Sequence, residues 1–329
     1  MRTERPYTAR DLEAMAGMFR KSAALLAACE LNLFTALSGA ARTPQDAARS
    51  VNADPRAVDR LLRALAVLGL VEETGGRFRN TPLSERHLVQ GAPEYIGGLG
   101  HQANVYRSWG DLAQAARRGG SMPRGPENPE AVRRFIAAMH HRAQVQAPGL
   151  AAALGLAGVR RMLDVGGGSA AFAMAFCLAR PELSAVVLDL PHVLDLTREY
   201  LAAEDMEHRV ELQPGDYLEA DFGAEFDLVF FSAIMHINSP LQNRRLLSKA
   251  FAALNPGGRV AVSDFVMDDD RMGPEQGVFF ALNMLANTRE GDTYTESEYR
   301  QWMTEAGFTE FTRAATGPAT ALLAARKPA

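Results

Sequence analysis

Residues 161–171 read RMLDVGGGSAA, and this stretch decides the fold. Its first five residues are mostly apolar, as in a buried strand, and the apolar run that starts at Ala171 has the length of a helix. Between them, Gly166, Gly168 and Ala171 form the pattern G-x-G-x-x-A, and Asp189 ends the next predicted strand, 21 residues after Gly168. This order predicts a site for a ribose-containing cofactor, because glycine lets a ligand lie against the backbone and a carboxylate accepts ribose hydroxyls.

Strand-like and helix-like segments alternate outward from this loop. The predicted strands are 161–165, 185–190, 209–213, 226–232 and 259–265, with a predicted helix after the first, second and fourth of them. Buried strands separated by helices indicate a doubly wound parallel sheet, so the fold class is α/β. We place this domain at residues 156–329.

Two acidic residues near the loop indicate which cofactor to expect. Asp164 stands two residues before Gly166, where it would counter an ammonium group but repel a pyrophosphate. Asp216 and Tyr217 follow the third strand, where an adenine amino group could be read, although a turn residue is the alternative for Asp216. Both positions favour S-adenosylmethionine over NAD.

Residues 1–100 form a separate domain. The spacing of apolar residues predicts one long helix over residues 11–37, and Pro44 and Pro55 each mark the start of a further helix. The turn Gly75-Gly76 then predicts a β-hairpin, so the arrangement is a winged helix. The long first helix is too apolar for a small domain to cover, which predicts a homodimer through this domain.

A winged helix also suggests DNA binding, because the helix that starts at Pro55 carries Arg56, Arg60 and Arg63. Asp54 and Asp59 are interleaved with these arginines, and the whole chain has 35 Lys and Arg against 39 Asp and Glu, a net charge of -4. There is no basic surplus for phosphate binding, so nucleic acid is not the expected partner.

Composition excludes further classes of protein. The two cysteines form no CxxC pair and the seven histidines show no metal-ligand spacing, so neither a disulfide framework nor a metal site is expected. The longest uncharged apolar stretch, residues 170–179, is far short of the roughly 20 residues that span a bilayer. We expect a cytoplasmic protein that does not associate with a membrane.

A histidine and an aspartate follow two neighbouring strands. The strand predicted over residues 226–234 delivers His236 to the edge of the sheet where α/β proteins bind ligands, and Asp264 ends the next strand. A neutral imidazole suits the removal of one proton near pH 7. A histidine with only structural contacts is the alternative.

Four short motifs, taken together with the glycine loop, are specific enough to indicate a family. They are LDLPHV at 188–193, GDYL at 215–218, NPGGR at 255–259 and EAGF at 305–308. The chain resembles, over nearly its whole length, the O-methyltransferases of the plant caffeate and hydroxyindole type and their bacterial relatives in polyketide and antibiotic tailoring. The resemblance implies a Rossmann-like class I methyltransferase sheet with an N-terminal, all-helical winged-helix dimerisation domain. It also implies S-adenosylmethionine as the cofactor and no metal ion.

The resemblance assigns site residues as well. His236 falls where the family carries its general base, and Asp264 matches the acidic residue that orients this base. The cofactor-binding positions are Asp164, Gly166, Gly167, Gly168, Asp189, Leu190, Asp216, Tyr217 and Ser232.

Residues 101–155 are predicted to connect the two domains and to contribute to a pocket for the methyl acceptor. The side chains expected there, on this segment and a later helix, suit a small, flat, aromatic or polyketide-type metabolite with a few polar anchors. They are Trp109, Phe135, Met139, His140, Phe279, Phe280, Asn283, Met284 and Asn287.

Three positions depart from the usual pattern of the family. The usual His-Asp-Trp is His236-Ile237-Asn238, Ser232 replaces a basic residue, and Thr293 stands where a second acidic partner is usual. We expect methyl transfer to a hydroxyl. The alternatives are transfer to nitrogen or carbon, a relative that binds the cofactor but has diverted chemistry, and a winged-helix regulator that senses a ligand.

Overall fold

The computed structural model describes residues 7–122 and 128–329. The chain divides into two compact units, one ending at Tyr106 and the other beginning at Arg107. This boundary falls within the predicted connector, and the division into residues 1–100, 101–155 and 156–329 stays a prediction.

The first unit is helical apart from one antiparallel hairpin, which is the hairpin predicted at Gly75-Gly76 for a winged helix. Its buried core includes Leu33, Phe34, Leu62 and Phe78. Its elements, the last of which runs past the boundary, are α1 (Ala9–Gly17), α2 (Phe19–Glu30), α3 (Leu33–Ala36), α4 (Pro44–Ser50), α5 (Pro55–Val67), β1 (Val71–Thr74), β2 (Arg77–Asn80), α6 (Pro82–His87) and α7 (Leu99–Gly110).

The single helix predicted over residues 11–37 is wrong, since three helices occupy this stretch. The chain turns at Met18 after Gly17, a residue with low helix propensity, and Asn32 adopts a left-handed φ of 54° after α2. Several large apolar side chains at the start of the unit are exposed in the single chain: Tyr7, Leu12, Met15, Met18 and Phe19.

Two of the three arginines of α5, Arg60 and Arg63, are paired with an acidic neighbour. Asp59 lies 2.6 Å from Arg60 and 3.0 Å from Arg63, and Asp54 caps the helix by accepting the N–H of Ala57 at 2.9 Å. Much of the positive charge that would attract DNA phosphates is therefore countered on the same helix.

The second unit contains most of the sheet-forming sequence. Its helix α9 continues past the predicted end at Gln146 to Leu154. The elements are α8 (Leu112–Arg118), α9 (Pro129–Leu154), β3 (Arg161–Val165), α10 (Ala171–Ala179), β4 (Ser184–Asp189), α11 (Pro191–Ala203), β5 (Val210–Pro214), β6 (Phe226–Ser232), α12 (Pro240–Ala253), β7 (Leu254–Met267), α13 (Glu275–Asn287), β8 (Tyr294–Thr295), α14 (Glu296–Glu305), β9 (Thr309–Ala315) and β10 (Thr320–Arg326).

Among the described residues, these strands form one sheet in the order β5-β4-β3-β6-β7-β10-β9, with β8 beside β7. The five strands β5, β4, β3, β6 and β7 run parallel to one another, as predicted. Strand β10 is antiparallel to both of its neighbours. Two apolar clusters, one including Phe176 and Phe230 and the other Phe231 and Trp302, form the core of this unit. The carboxyl ends of β3, β4, β6 and β7 therefore meet at one edge, where a ligand is expected.

The search for membrane-spanning segments found no helix in residues 7–122 and 128–329 with the length and apolar character to cross a bilayer.

Candidate active site

The glycine loop follows β3 and leads into α10. Gly166 has a φ of 66°, and a Cβ at this position would lie only 2.3 Å from Cδ1 of Ile234. Gly168 also has a positive φ, of 57°. Glycine is therefore required at Gly166 both by backbone conformation and by the close approach of Ile234, two residues before His236.

Two helices hold this loop in place. The hydroxyl of Thr197, on α11, donates to the carbonyl of Gly168 at 2.6 Å. On α9, Nδ1 of His140 lies 2.9 Å from the hydroxyl of Ser169, and the imidazole stacks on Tyr200 with 4.2 Å between ring centroids. His140, predicted for the acceptor pocket, is thus engaged with the glycine loop, a contact that no spacing in the sequence indicated.

Asp189 closes β4 beside this loop. One carboxylate oxygen accepts the N–H of Gly168 at 2.8 Å, and the other accepts the N–H of Leu190 at 2.7 Å. Burial raises the pKa of Asp189 despite these two bonds. Because an ionised carboxylate offers about four acceptor sites, two remain for the hydroxyls of a ribose.

Asp164 is a second buried carboxylate, only 1% exposed. Within the described residues neither of its oxygens has a hydrogen-bond partner of normal geometry. Burial, and then the charge of Asp189, raise the pKa of Asp164 to about 7, and the nearby N–H of Ala173 offsets only part of this rise. One buried and one partly buried carboxylate, both with unmet acceptor capacity, fit a cationic, ribose-bearing ligand.

The segment after β5 places Asp216 and Tyr217 differently. Asp216 is exposed and accepts the N–H of Leu218 at 2.9 Å, which is the turn role named as its alternative. The ring of Tyr217 lies next to Gly166, and its hydroxyl is 3.4 Å from Oδ1 of Asn238. Burial raises the pKa of Tyr217. Tyr217 is thereby brought to the glycine loop, whereas Asp216 faces solvent.

His236 lies just beyond the carboxyl end of β6. The strand ends at Ser232, so the strand prediction to Ile234 was too long, and a short 3-10 turn over Met235–Ile237 carries the histidine. Nδ1 of His236 lies 2.5 Å from Oδ1 of Asp264, and the backbone N–H of His236 donates to Oδ2 at 3.2 Å. Both side chains are buried. Because a carboxylate accepts, Nδ1 carries a proton in this contact.

The backbone of this turn is itself held by side chains. Asn238 donates to the carbonyl of Ile234 at 2.9 Å, and Asn243 donates to that of Met235 at 2.9 Å. The N–H of Asp292 donates to the carbonyl of His236 at 3.0 Å. Asn238 was recognised only as a departure from the family pattern, and Asn243 was missed because an amide in a helix gives no signal in one sequence.

Ser232 and Thr293, the other two positions that depart from the family pattern, lie nearby in the fold. Ser232 pairs in register with Ser263 on β7. Thr293 is buried, and its carbonyl accepts a hydrogen bond from Arg271 at 2.9 Å. Neither supplies a charge to the site.

Aromatic rings flank His236. The ring of Phe280 meets the imidazole edge to face, with centroids 4.9 Å apart, and Phe265 stacks on Phe280 at 3.8 Å. These contacts limit how the imidazole can rotate and give its surroundings an apolar character.

Other predicted pocket residues lie on α7, α9 and α13. Trp109 donates to Oδ1 of Asn283 at 3.0 Å, and Asn287 donates to the same oxygen at 2.9 Å. Met284 is buried and Met139 is half-buried, whereas Phe135 and Phe279 are 40% and 52% exposed. In the described part of the chain, no three His, Cys, Asp or Glu side chains are grouped as metal ligands.

The chain is similar to known proteins over most of its length. An O-methyltransferase domain matches residues 120–309, and an O-methyltransferase dimerisation domain matches residues 13–90. The chain is 34% identical to 3-hydroxy-5-methyl-1-naphthoate 3-O-methyltransferase of Streptomyces sahachiroi, over 88% of this chain and 86% of that protein.

A second bacterial relative, the tetracenomycin polyketide synthesis 8-O-methyl transferase TcmO of Streptomyces glaucescens, is 33% identical over 97% of this chain and 96% of its own length. Among solved structures, human N-acetylserotonin methyltransferase in complex with SAM superposes with a TM-score of 0.85 at 27% identity, covering 99% of this chain and 100% of that one. With its glycine loop, its sheet and its dimerisation domain all matched, the chain belongs to the O-methyltransferase family.

Proposed function

We propose that this protein transfers a methyl group from S-adenosylmethionine to a hydroxyl of a small aromatic or polyketide-type metabolite, with His236 as the general base and Asp264 as the residue that orients it. The observation that carries the proposal is the buried contact of 2.5 Å between Nδ1 of His236 and Asp264, beside the glycine loop.

The residues around the glycine loop fit the cofactor. Asp164, whose oxygens have no protein partner among the described residues, would meet the ammonium of the methionyl group, and Asp189 would meet the ribose. Tyr217, with Asp216 beside it in the chain, would lie against the adenine side of the ligand. The predicted set is completed by Gly166, Gly167, Gly168, Leu190 and Ser232. When bound, S-adenosylmethionine would supply a methyl group that its sulfonium makes electrophilic, and breaking of the sulfur–methyl bond would leave the neutral thioether S-adenosylhomocysteine.

His236 acts on the acceptor in this proposal. Its Nδ1–H donates to Asp264, so the lone pair on Nε2 takes the proton of the acceptor hydroxyl as that oxygen gains the methyl group. Asp264 then stabilises the charged imidazolium. Alignment of donor and acceptor supplies much of the remaining rate acceleration, so the protein needs rigid walls around this histidine.

The acceptor class follows from the walls of the site. Phe280 and Phe265 offer flat apolar surface, and Trp109 and Asn283 offer a few polar groups. The names of the two bacterial relatives describe action on a naphthoate and on a polyketide. Both support an aromatic acceptor of this kind.

The N-terminal domain would join two copies of the chain. Met15 and Phe19, on α1 and α2, expose apolar surface within the matched dimerisation domain, and Leu12 exposes more of it one residue before that domain begins. A partner chain that covered these residues would remove them from water.

Calorimetric titration tests the cofactor assignment. S-adenosylhomocysteine should bind the wild-type protein, NAD should not, and Asp189→Ala should weaken S-adenosylhomocysteine by at least tenfold, because hydrogen bonds to a charged group are worth about 1.5–3 kcal/mol each. Tight NAD binding would contradict the assignment.

A panel of aromatic hydroxy compounds, each incubated with S-adenosylmethionine, tests the reaction. Mass spectrometry of the products should show one added methyl on oxygen. A methyl on nitrogen or carbon would contradict the proposal.

A further inference from the structure

We infer that Asn283 selects acceptors in which a neutral carbonyl stands beside the hydroxyl that is methylated. The inference rests on the proposed function, because it concerns the same pocket. It depends on the orientation of one amide group, which the hydrogen bonds of its neighbours determine.

The amide of Asn283 can be oriented without ambiguity. The indole N–H of Trp109 is a donor only, so the atom that faces it, 3.0 Å away, must be the oxygen of the amide. Nδ2 of Asn287 donates to the same oxygen at 2.9 Å. An Asn283 amide flipped by 180° would set donor against donor at Trp109, so the flip is excluded.

The NH₂ group of Asn283 therefore points away from Trp109. Within residues 7–122 and 128–329, it donates to no protein group, and it is not among the buried polar atoms without a partner. A donor that is accessible but has no protein partner is suited to a ligand.

Asn283 also lies on the face of α13 that approaches the histidine. Phe280, three residues earlier, meets His236 edge to face at 4.9 Å, and three residues advance an α-helix by about 4.5 Å. A ring held against Phe280 with its hydroxyl at His236 would thus present a neighbouring substituent to Asn283.

The chemistry of the amide indicates the substituent. A neutral N–H donor pairs well with a neutral carbonyl oxygen, whereas a carboxylate is best matched by a charged donor. A carboxylate would in addition be repelled by Asp264, which lies against His236. Aryl ketones or quinones with an adjacent hydroxyl are therefore the expected acceptors.

Three ligands that differ at one position test the inference: 2-acetyl-1-naphthol, 2-ethyl-1-naphthol and 1-hydroxy-2-naphthoate. Their affinities are measured by calorimetry for protein saturated with S-adenosylhomocysteine. We expect the acetyl compound to bind about tenfold more tightly than the ethyl compound and more tightly than the carboxylate. Equal affinity for the acetyl and ethyl compounds, tighter binding of the carboxylate, or no binding of any of the three overturns the inference.

Two variants identify the group responsible. Asn283→Leu should bring the affinities for the acetyl and ethyl compounds within about twofold of each other. Asn283→Asp keeps an acceptor for Trp109 but replaces the NH₂ by oxygen, so it should bind the ethyl compound more tightly than the acetyl compound. Gln114→Leu removes an exposed amide from α8 and should keep the wild-type preference. A tenfold preference that survives in Asn283→Leu overturns the inference.

The affinity for S-adenosylhomocysteine is measured for every variant and should stay unchanged. A wild-type protein that does not bind S-adenosylhomocysteine would contradict the proposed function itself. Normal binding of S-adenosylhomocysteine without discrimination between acetyl and ethyl would contradict only the role of Asn283.

Discussion

The carboxylate of Asp264 is bound to His236 twice, through the imidazole Nδ1 at 2.5 Å and through the backbone N–H at 3.2 Å. One side chain therefore fixes both the rotation of the ring and its position relative to the main chain. The N–H of Phe265 also donates to this carboxylate, at 2.8 Å, so the orienting group is itself held in place.

Asp264→Asn should lower kcat by about 10²- to 10⁴-fold, because an amide can turn its NH₂ to the imidazole and favour the wrong tautomer. The affinity for S-adenosylhomocysteine should not change. Steady-state kinetics and calorimetry measure the two quantities. Asp269→Asn, at an exposed carboxylate beyond the end of β7, is the control and should behave as wild type. A normal kcat in Asp264→Asn would argue against the orienting role.

His236→Ala should lose about 10²- to 10⁴-fold in kcat and keep its affinity for S-adenosylhomocysteine, since a general base contributes to that extent. The rate is measured from pH 6 to pH 9. A variant rate that approaches the wild-type rate at the alkaline end fits a missing base, because hydroxide then ionises the acceptor. A near-normal rate at every pH would show that another group takes the proton or that the acceptor arrives ionised.

Asp164→Asn should stabilise the ligand-free protein at pH 8 and weaken cofactor binding. The pKa of Asp164 is raised from 3.8 to about 7, so the folded state binds more protons than the unfolded state between these values. Stability contributed by the protonated acid is thus present at low pH and is lost as the pH rises to about 7. The variant should gain of the order of 2–4 kcal/mol at pH 8 and little at pH 4, measured by urea unfolding.

The same carboxylate predicts how cofactor binding depends on pH. In the proposed site the ionised form would pair with the ammonium group of S-adenosylhomocysteine, so wild-type affinity should fall as the pH decreases below about 7. In Asp164→Asn the affinity should be at least tenfold weaker and nearly independent of pH. Asp195→Asn, at an exposed carboxylate on α11, serves as the control. A pH dependence that persists in Asp164→Asn would assign it to another group.

Gly166→Ala should destabilise the ligand-free protein by about 1–3 kcal/mol, through its positive φ and through the contact of the new Cβ with Ile234. Gly168→Ala is a matched control, because its φ is also positive but the nearest atom would lie 3.7 Å away. The loss of stability caused by Gly166→Ala should be smaller in an Ile234→Ala background than in the wild-type protein, because the clash is then removed. Equal effects of the two glycine substitutions would mean that backbone strain, and not the clash, dominates.

Leu12→Glu combined with Phe19→Glu should convert the wild-type dimer into a monomer, because charges would be buried at the apolar contact. Size-exclusion chromatography with light scattering measures the mass. Glu13→Lys changes a neighbouring exposed residue of α1 and should leave the dimer intact. A wild-type protein that is monomeric at micromolar concentration would contradict the prediction.

The parallel sheet and the glycine loop were predictable because each depends on local sequence. Apolar runs such as 226–232 mark buried strands, and Gly166 is required by its own backbone conformation and immediate surroundings. The same local reasoning failed for residues 11–37, where apolar spacing continues through two turns of the chain and hides the breaks at Met18 and Asn32.

Contacts between distant residues were not predictable. Apolar spacing and residue type place His140 on a helix, but they cannot indicate that its imidazole meets Ser169, 29 residues away, and stacks on Tyr200. The amide of Asn283 is a similar case, since its orientation depends on Trp109, which is 174 residues distant. Such pairings depend on how helices pack on the sheet, and a single sequence carries no local signal for that.

The bonds from Thr197 and His140 tie the glycine loop to two helices of its own unit, α11 and α9. We therefore expect the loop to keep one conformation whether or not cofactor is bound. Little conformational entropy is then lost when a nucleoside enters, and little is regained when the demethylated product departs. The loop would therefore act as a rigid template in every catalytic cycle, and we expect the rate at which spent cofactor is exchanged to depend on the strength of its proposed contacts with Asp164 and Asp189.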